Sequence, residues 1–219
     1  SMNTPEPSGA SSDHPFDQGY FHSGPYAHVS FRKYSQYWWS NRFYSILARR
    51  HGKPDGCLLE IGSGLGHLAE QLEERFETHA TDVNFWALSG SKIVLKETRR
   101  VLASAQELPY CRESFDVVIL KHVVEHLEHP ETALAEAGRI SAPGGLLILS
   151  TPNLSSRLKP WKGEKWIGYQ DPTHISLKKP LQWSDLVYQS GFTPFKIFSD
   201  GFWDVPYVKY LPASLQKVI

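Results

Sequence analysis

The sequence predicts an α/β fold in which a parallel sheet carries helices on both faces, and three observations support this. Short apolar segments alternate with amphipathic ones between residues 57 and 150. Such alternation is typical of strand–helix–strand units joined by right-handed crossovers. Phe115–Leu120 is rich in the β-branched residues that strands prefer. A glycine-rich turn follows the apolar segment Cys57–Ile61, as at many strand–helix junctions that bind ligands.

Local residue types predict each element in turn. A helix over Ser35–Arg50 has apolar residues at helical spacing and ends before Gly52 and Pro54. Pro143–Gly145 is predicted to form a turn. The remaining predicted strands are Cys57–Ile61, Thr78–Asp82, Val101–Ala103, Phe115–Leu120, Leu146–Ser150 and Phe195–Ser199, and the remaining helices are Leu68–Phe76, Phe85–Leu95, Pro130–Ser141 and Leu181–Ser190.

Composition excludes some classes of protein. The chain has 219 residues with 23 basic and 23 acidic side chains, and this zero net charge disfavours a nucleic-acid partner. Aromatic residues make up 13% of the chain but are unevenly spread, with 5 between residues 46 and 150 and the other 23 at the two ends. We therefore expect an aliphatic central fold with aromatic segments around it.

The sequence also indicates a compartment. No segment approaches the roughly 20 apolar residues that a membrane-spanning helix needs. The first residues are rich in Ser and Pro and lack the pattern of a signal peptide. The two cysteines, Cys57 and Cys111, are interpreted as free thiols. These features predict a cytoplasmic protein without a disulfide.

The glycine turn Glu60–Gly66 points to a particular ligand. Its spacing is G-x-G-x-G, whereas dinucleotide-binding turns have G-x-G-x-x-G. Glu60 stands two residues before the first glycine, and Asp82 ends the next predicted strand. Two carboxylates suit a ligand with hydroxyls and an ammonium group better than a pyrophosphate, and S-adenosylmethionine (SAM) is such a ligand. The alternatives are a dinucleotide or a tight turn without a ligand.

Residues 57–153 resemble class I SAM-dependent methyltransferases, the group that includes the type 11 and type 23 enzymes and the ubiquinone-biosynthesis O-methyltransferases. The matching strings are LLEIGSGLGHLAEQL, ATDVN, ASAQELPY, FDVVILKHVVEHLEHP and PGGLLILSTPN. They occur in the family's order and at its spacing. The resemblance implies a Rossmann-like sheet and a methyltransferase that uses SAM and releases S-adenosylhomocysteine.

This resemblance also assigns residues to the cofactor. The glycine turn and Glu60 are expected to hold the methionine part, Asp82 the ribose, and the segment after the third strand the adenine, with Lys121 near the reactive sulfur. The cofactor residues predicted in this way are Glu60, Gly62, Ser63, Gly64, Asp82, Val83, Ala105, Gln106 and Lys121.

The resemblance divides the chain as well. Residues 1–15 are expected to be a disordered tail, and residues 16–219 a single methyltransferase domain. Within that domain, residues 16–52 would form an N-terminal cap, 57–151 the SAM-binding core, 152–180 a substrate-side loop, and 181–219 a final helix and strand.

The segment after the fourth core strand contains His122, Glu125 and His126 at positions i, i+3 and i+4. In a helical turn, all three would share one face. Some relatives have Glu-x-x-Glu-His there and bind a divalent ion, whereas this chain has His at the first position. We predict no metal and keep these three residues as the candidate ligands, which would suit Zn²⁺ or Fe²⁺ better than Mg²⁺.

His174 lies in the string Asp171-Pro-Thr-His, which follows the last core strand. A similar string occurs near the acceptor in relatives. We predict that His174 is a general base and that His126 is the second candidate, because an imidazole can take a hydroxyl proton near neutral pH. The alternative is that His174 only fastens the loop by a hydrogen bond.

The loop of residues 151–180 contains six Lys or Arg and two acidic residues, a local charge of +4. Trp161, Trp166 and Tyr169 are interleaved with these charges and are predicted to contact the substrate. This pattern favours a lid over an anionic or glycosidic acceptor. A solvated mobile loop and a contact with RNA are the alternatives.

We therefore predict methyl transfer from SAM to a hydroxyl of a small metabolite or of a sugar- or lipid-linked intermediate. RNA 2′-O-methylation with a metal site, and a non-catalytic SAM-binding scaffold, are the two alternatives. The sequence predicts no oligomeric state.

Overall fold

A five-stranded parallel sheet forms the centre of the computed structural model, which describes residues 29–157 and 159–199. The strand order is β3-β2-β1-β4-β5, and each neighbouring pair is parallel. The predicted α/β class is confirmed. The strands are β1 (Cys57–Ile61), β2 (Glu77–Asp82), β3 (Arg99–Leu102), β4 (Phe115–Lys121) and β5 (Ser141–Ser150).

Helices connect and flank these strands. The α-helices are α1 (Gln36–His51), α2 (His67–Glu70), α3 (Phe85–Gly90), α4 (Pro130–Ile140), α5 (Lys159–Lys162), α6 (Ile167–Gln170) and α7 (Pro180–Gln189). Short 3₁₀ turns lie at Ser91–Ile93, Val124–His126 and Gly163–Lys165. Ser35 begins α1, where its side chain accepts a hydrogen bond from the N–H of Trp38 at 3.1 Å.

Successive side chains of the two central strands enter different cores. Leu59, Val118 and Leu120 pack against α4 and Trp183 on one face of the sheet. Leu58 and Val117 pack on the other face against α1. Because side chains alternate along a strand, β1 and β4 need apolar residues at nearly every position, and both faces of the sheet are covered.

The structure shortens two predicted helices and lengthens one strand. Residues 71–75 form turns rather than a continuation of α2, and α3 changes to a 3₁₀ turn after Gly90. The predicted turn Pro143–Gly145 lies within β5. There the pairing jumps from Phe115 opposite Ser141 to Val117 opposite Leu146, so the Pro-Gly-Gly segment forms an irregularity that leaves the strand continuous.

The predicted strand Phe195–Ser199 is wrong. These residues have no regular secondary structure within the part of the chain described, and Phe195 is 67% exposed. Alternating apolar residues suggested a strand, but no pairing partner accompanies them in the described ranges. The predicted tail 1–15 and the segment after Ser199 lie outside the described residues.

The loop of residues 152–180 contains α5 and α6 and is fastened where it begins and ends, because the N–H of Leu154 donates to the carbonyl of Lys178 at 3.2 Å. Trp166 is only 1% exposed. A Cβ added to Gly168 would lie 2.1 Å from the Trp166 ring, so only glycine allows this close contact. Trp166 therefore anchors the loop to the protein.

Both cysteines are free, as the sequence predicted. The described residues include no helix with the length and apolar character to span a bilayer.

Replacing Trp166 by Ala should lower the free energy of unfolding by about 3–5 kcal/mol, because the change leaves a cavity under the loop. Trp161 is 81% exposed, so Trp161→Ala should change the free energy of unfolding by less than about 0.5 kcal/mol. Urea unfolding followed by circular dichroism measures both. Equal effects of the two substitutions would show that Trp166 is not a core residue.

Candidate cofactor and acceptor site

The turn that follows β1 is held by β2. The N–H groups of Gly62 and Ser63 both donate to the carbonyl of Thr81, at 2.8 and 2.9 Å. The N–H of Gly64 donates to Oδ2 of Asp82 at 2.7 Å. Gly62, Gly64 and Gly66 all have positive φ angles, which side chains disfavour. The turn thus keeps its shape through bonds to the next strand.

The same turn touches the segment after β4. Ile61 of β1 is opposite Leu120 of β4 in the parallel register, so the two strands end at the same edge of the sheet. A Cβ added to Gly62 would lie 2.4 Å from Cγ2 of Val123. Any side chain at position 62 would therefore push the two segments apart.

Asp82 lies at the end of β2 with its carboxylate oriented by backbone groups. Besides the bond from Gly64, its Oδ1 accepts the N–H of Asn84 at 2.8 Å. Asn84 in turn caps α3 by accepting the N–H of Ala87 at 3.1 Å. Val83, between them, is 45% exposed. The acid and an accessible apolar side chain therefore lie together beside the turn.

The segment after β3 also reaches this edge. The N–H of Ala103 donates to the carbonyl of Asp82 at 3.1 Å, and Ala105 is buried against the core. The side chain of Gln106 turns away and donates to the carbonyl of His129 at 3.1 Å. The structure thus brings Ala105 near the Asp82 strand end, while the Gln106 side chain serves a neighbouring loop.

Glu60 is a buried acid with an unusual environment. It is 4% exposed, and its Oε2 has no hydrogen-bond partner among the described residues. Burial raises the pKa of Glu60 to about 8, although the positive charge of Lys121 opposes the shift. The Glu60 carboxyl is therefore protonated at neutral pH, and the approach of a further cation would favour its ionisation.

Lys121 lies in an aromatic box formed by α1, a set of residues that the sequence did not single out. Its Nζ donates to Oδ1 of Asn41 at 2.5 Å and lies 5.2 Å from the ring centres of both Tyr37 and Tyr44. Burial, with the nearby Glu60, raises the pKa of Tyr37. The i, i+4, i+7 spacing of these α1 residues was the available signal.

His122, Glu125 and His126 do not share a single helical turn. Only Val124–His126 forms a 3₁₀ turn, and His122 before it has a φ of 55°. The N–H of His122 donates to the carbonyl of Ser150 at 2.9 Å, and its Nδ1 lies 3.0 Å from Oε1 of Glu125. His122 therefore reaches Glu125 from outside the turn.

Glu125 itself is completely buried. Burial opposes its ionisation, yet the hydrogen bond with His122 and the electrostatic influence of the neighbouring His122 and His126 hold the pKa of Glu125 below its usual range. A charged carboxylate thus lies beneath the surface of the site, which is costly unless cationic or donor groups surround it.

Residues 171–176 dock on this turn. The N–H of Ser176 donates to the carbonyl of Glu125 at 2.9 Å, and its hydroxyl donates to the carbonyl of Leu127 at 2.6 Å. Through these bonds the rings of His126 and His174 come together, with centres 4.7 Å apart. The two predicted bases, 48 positions apart in sequence, are therefore neighbours.

Burial lowers the pKa of His126, although the charge of Glu125 opposes this shift. The imidazole of His126 is therefore neutral near pH 7 and able to accept a proton.

The three aromatic residues predicted to contact the substrate differ in position. Trp166 is buried under the loop with its ring 4.9 Å from that of Tyr169. Lys159 lies over both rings, at 6.0 and 5.6 Å. Trp161 is 81% exposed, and Tyr169 is half-exposed. Among the three, Tyr169 combines exposure with a fixed position.

A cavity of about 930 Å³ runs along β5 and borders the site. Tyr44, His122 and Trp166 line its end nearest the site, and Phe195 and Phe198 are among the residues that line the rest. Neither Glu60 nor His174 is among the described residues that line it. The cavity thus adjoins the residues already described without enclosing them.

A parallel sheet of this order, with a glycine turn after β1 and an acid after β2, is the arrangement of class I methyltransferase folds. A family model described as a methyltransferase domain matches residues 30–196, and the chain belongs to this family. The resemblance seen in the sequence is confirmed.

Relatives agree with this assignment. The ubiquinone/menaquinone biosynthesis C-methyltransferase of Burkholderia mallei is 28% identical over 140 residues, which cover 55% of this chain and 58% of the relative. The match thus spans little more than half the length of this relative.

Two solved structures share the fold. A putative methyltransferase from Bacillus halodurans has a TM-score of 0.60 and 19% identity, over 70% of this chain and 69% of that one. The second is phosphoethanolamine N-methyltransferase 2 of Haemonchus contortus, solved with S-adenosylhomocysteine and phosphomonomethylethanolamine. It has a TM-score of 0.53 and 22% identity, over 69% of this chain and 37% of that one.

The raised pKa of Glu60 predicts how stability depends on pH. Between about pH 4.5 and 8 the folded protein keeps the Glu60 proton and the unfolded chain releases it. The contribution of Glu60 to the free energy of unfolding should therefore fall as pH rises through this range, by at most about 1.4 kcal/mol per pH unit. Urea unfolding of the wild type and Glu60→Gln at several pH values measures this.

As pH rises, the free energy of unfolding of the wild type should fall relative to that of Glu60→Gln. Parallel pH profiles of the two proteins would contradict a raised pKa at Glu60.

Proposed function

We propose that the protein is a SAM-dependent methyltransferase that methylates a hydroxyl oxygen of a small acceptor. The observation that carries the proposal is the buried Glu60 carboxyl, whose Oε2 has no partner among the described residues and which lies next to the glycine turn. Bound SAM supplies a methyl carbon already activated by its positive sulfur. The protein has mainly to bind, orient and remove a proton.

The residues at this edge fit SAM. Glu60 offers a carboxylate oxygen to the cofactor's ammonium group, which would lower the pKa of Glu60 and ionise it. Asp82 is held by the N–H groups of Gly64 and Asn84, and a carboxylate at this strand end suits the ribose hydroxyls. Val83 offers an accessible apolar side chain to the adenine ring. Gly62, Ser63 and Ala105 complete the proposed contacts.

On the acceptor side we assign proton removal to the imidazoles of His126 and His174. His126 is neutral near pH 7 because burial lowers its pKa, so it can take the acceptor's proton as the oxygen attacks the methyl carbon. Lys121 lies beside Glu60 at the end of β4 and favours an acceptor with negative charge. Tyr169 is the aromatic residue best placed to contact that acceptor.

Oxygen is proposed as the methylated atom because a hydroxyl has a proton that an imidazole can remove. The name of the Burkholderia relative specifies carbon, so the product must be identified directly. In this proposal α1 belongs to the cap of residues 16–52, and residues 152–180 cover the acceptor. The zero net charge of the chain supports a small acceptor rather than RNA.

Isothermal titration with S-adenosylhomocysteine tests the cofactor site. The wild type should bind it, and Asp82→Asn should weaken binding by about 10- to 100-fold, because a charged acceptor of hydrogen bonds is lost. Asp185→Asn is the matched control, since Asp185 is exposed on α7. Folded wild type that does not bind, or equal affinities of the two variants, would refute the proposed site.

Substitution of His174 by Ala should slow methyl transfer by about 10²- to 10⁴-fold and leave the affinity for S-adenosylhomocysteine within about twofold. SAM labelled with ¹³C in its methyl group, offered with a panel of small phenols and hydroxy acids, reports transfer by NMR. The chemical shift of the product methyl distinguishes oxygen from carbon. Unchanged rates would make His174 a fastener of the loop only, and a methyl on carbon would overturn the proposed O-methylation.

A further inference from the structure

Lys159 is a basic residue of the loop whose position is defined by two aromatic rings. Its Nζ lies 6.0 Å from the ring centre of Trp166 and 5.6 Å from that of Tyr169. Such contacts between an ammonium group and an aromatic ring are attractive. Trp166 is 1% exposed, so one of the two rings is itself fixed by packing. The positive charge of Lys159 therefore has a definite place on the surface of the protein.

The charge of Lys159 is not balanced within the part of the chain that the structure describes. Basic side chains elsewhere have an acidic partner within 3.4 Å, as at Lys53, Arg75, Arg99 and Arg139. No carboxylate among the described residues forms an ion pair of this kind with Lys159. The loop of residues 151–180 also has six basic and only two acidic residues. A fixed cation in such surroundings is available to an anion from outside the chain.

The residues that hold Lys159 also hold His174. The N–H of Tyr169 donates to the carbonyl of Trp166 at 2.8 Å, and the carbonyl oxygen of the adjacent Gly168 lies 2.9 Å from Nδ1 of His174. A carbonyl can only accept, so Nδ1 holds the proton and Nε2 has the lone pair. Lys159, Tyr169 and His174 thus belong to one small unit that is anchored by Trp166.

This unit offers three different groups to a small molecule. An ammonium group binds a carboxylate through charge-assisted hydrogen bonds. The half-exposed ring of Tyr169 can pack against another aromatic ring. An imidazole with a lone pair on Nε2 can accept the proton of a hydroxyl. A phenol with a carboxylate on its ring has all three complementary groups in a rigid arrangement.

We propose that the acceptor is an aromatic hydroxy acid whose carboxylate binds Lys159. Its ring packs on Tyr169, and its hydroxyl is directed to His174. This inference rests on the proposed methyltransferase function and names the class of substrate for it. Lys159 determines specificity, because it is the member of the unit that distinguishes an acid from a neutral phenol. Lys121 is the competing cation, but its ammonium already donates to Asn41 of α1.

Binding of two small probes to the full chain tests the proposal without need for the natural acceptor. The protein is first titrated with S-adenosylhomocysteine to saturation and then with either para-hydroxybenzoate or phenol, by calorimetry near neutral pH. The two probes differ by one carboxylate. The wild type should bind para-hydroxybenzoate at least about 10-fold more tightly than phenol. Added salt should reduce this preference, because it screens the charges.

Substitutions then separate the roles within the unit. Lys159→Met should weaken binding of para-hydroxybenzoate by about 10- to 100-fold and leave the affinity for phenol within about twofold. Tyr169→Ala should weaken binding of both probes, because both have the ring. Lys165→Met is the matched control, since it changes an exposed lysine of the same loop, and it should alter neither affinity.

Two results would overturn the proposal. Wild type that binds S-adenosylhomocysteine but shows no preference for para-hydroxybenzoate, or binds neither probe, would refute the substrate class and leave the methyltransferase function intact. A preference that survives in Lys159→Met and disappears in Lys121→Met would assign the anion to Lys121 instead. Folded wild type that does not bind S-adenosylhomocysteine in the first titration would refute both proposals.

Discussion

The parallel register of β1 with β4 is the constraint on which the rest of the site depends. Because Ile61 lies opposite Leu120, the segments that follow β1 and β4 leave the sheet side by side, and Gly62 comes close to Val123. The segment after β1 forms the glycine turn, and the segment after β4 forms the turn with Glu125 and His126. The residues proposed for the cofactor and those proposed for the acceptor are thus set against each other by the backbone of two buried strands. No side chain at position 62 is compatible with that contact.

Electrostatics adds a second layer. The positive charge of Lys121 opposes the upward shift in the pKa of Glu60, and Tyr37, Asn41 and Tyr44 of α1 contact the Lys121 ammonium. This arrangement holds the Lys121 ammonium in a defined position, close to the place proposed for the reactive sulfur. Tyr37 and Tyr44 of the aromatic N-terminal segment therefore form a wall around Lys121.

Patterns within short segments predicted much of this structure. The alternation of apolar runs indicated the parallel sheet, and the Glu60 and Asp82 positions marked the edge at which we propose that the cofactor binds. The pairing of His126 with His174 was not visible, because it depends on the backbone bond from Ser176 to Glu125, 51 positions earlier in the chain. The burial of Trp166 depends likewise on contacts across the loop. Phe195–Ser199 had the pattern of a strand, but a strand also needs a neighbour, which local sequence does not specify.

The way the loop is fastened has an evolutionary consequence. Leu154 is joined to Lys178, and Ser176 to Glu125, through a main-chain N–H and a main-chain carbonyl, which every residue type except proline can supply. Exposed side chains between these attachment points can therefore change without releasing the loop from the core, whereas Trp166 and Gly168 are constrained by their close contact. The exposed positions of that stretch, which include Trp161 and Tyr169, can be substituted while the backbone of the loop stays in place. Descendants of one ancestral fold could thereby diverge in what they modify while inheriting the same donor chemistry.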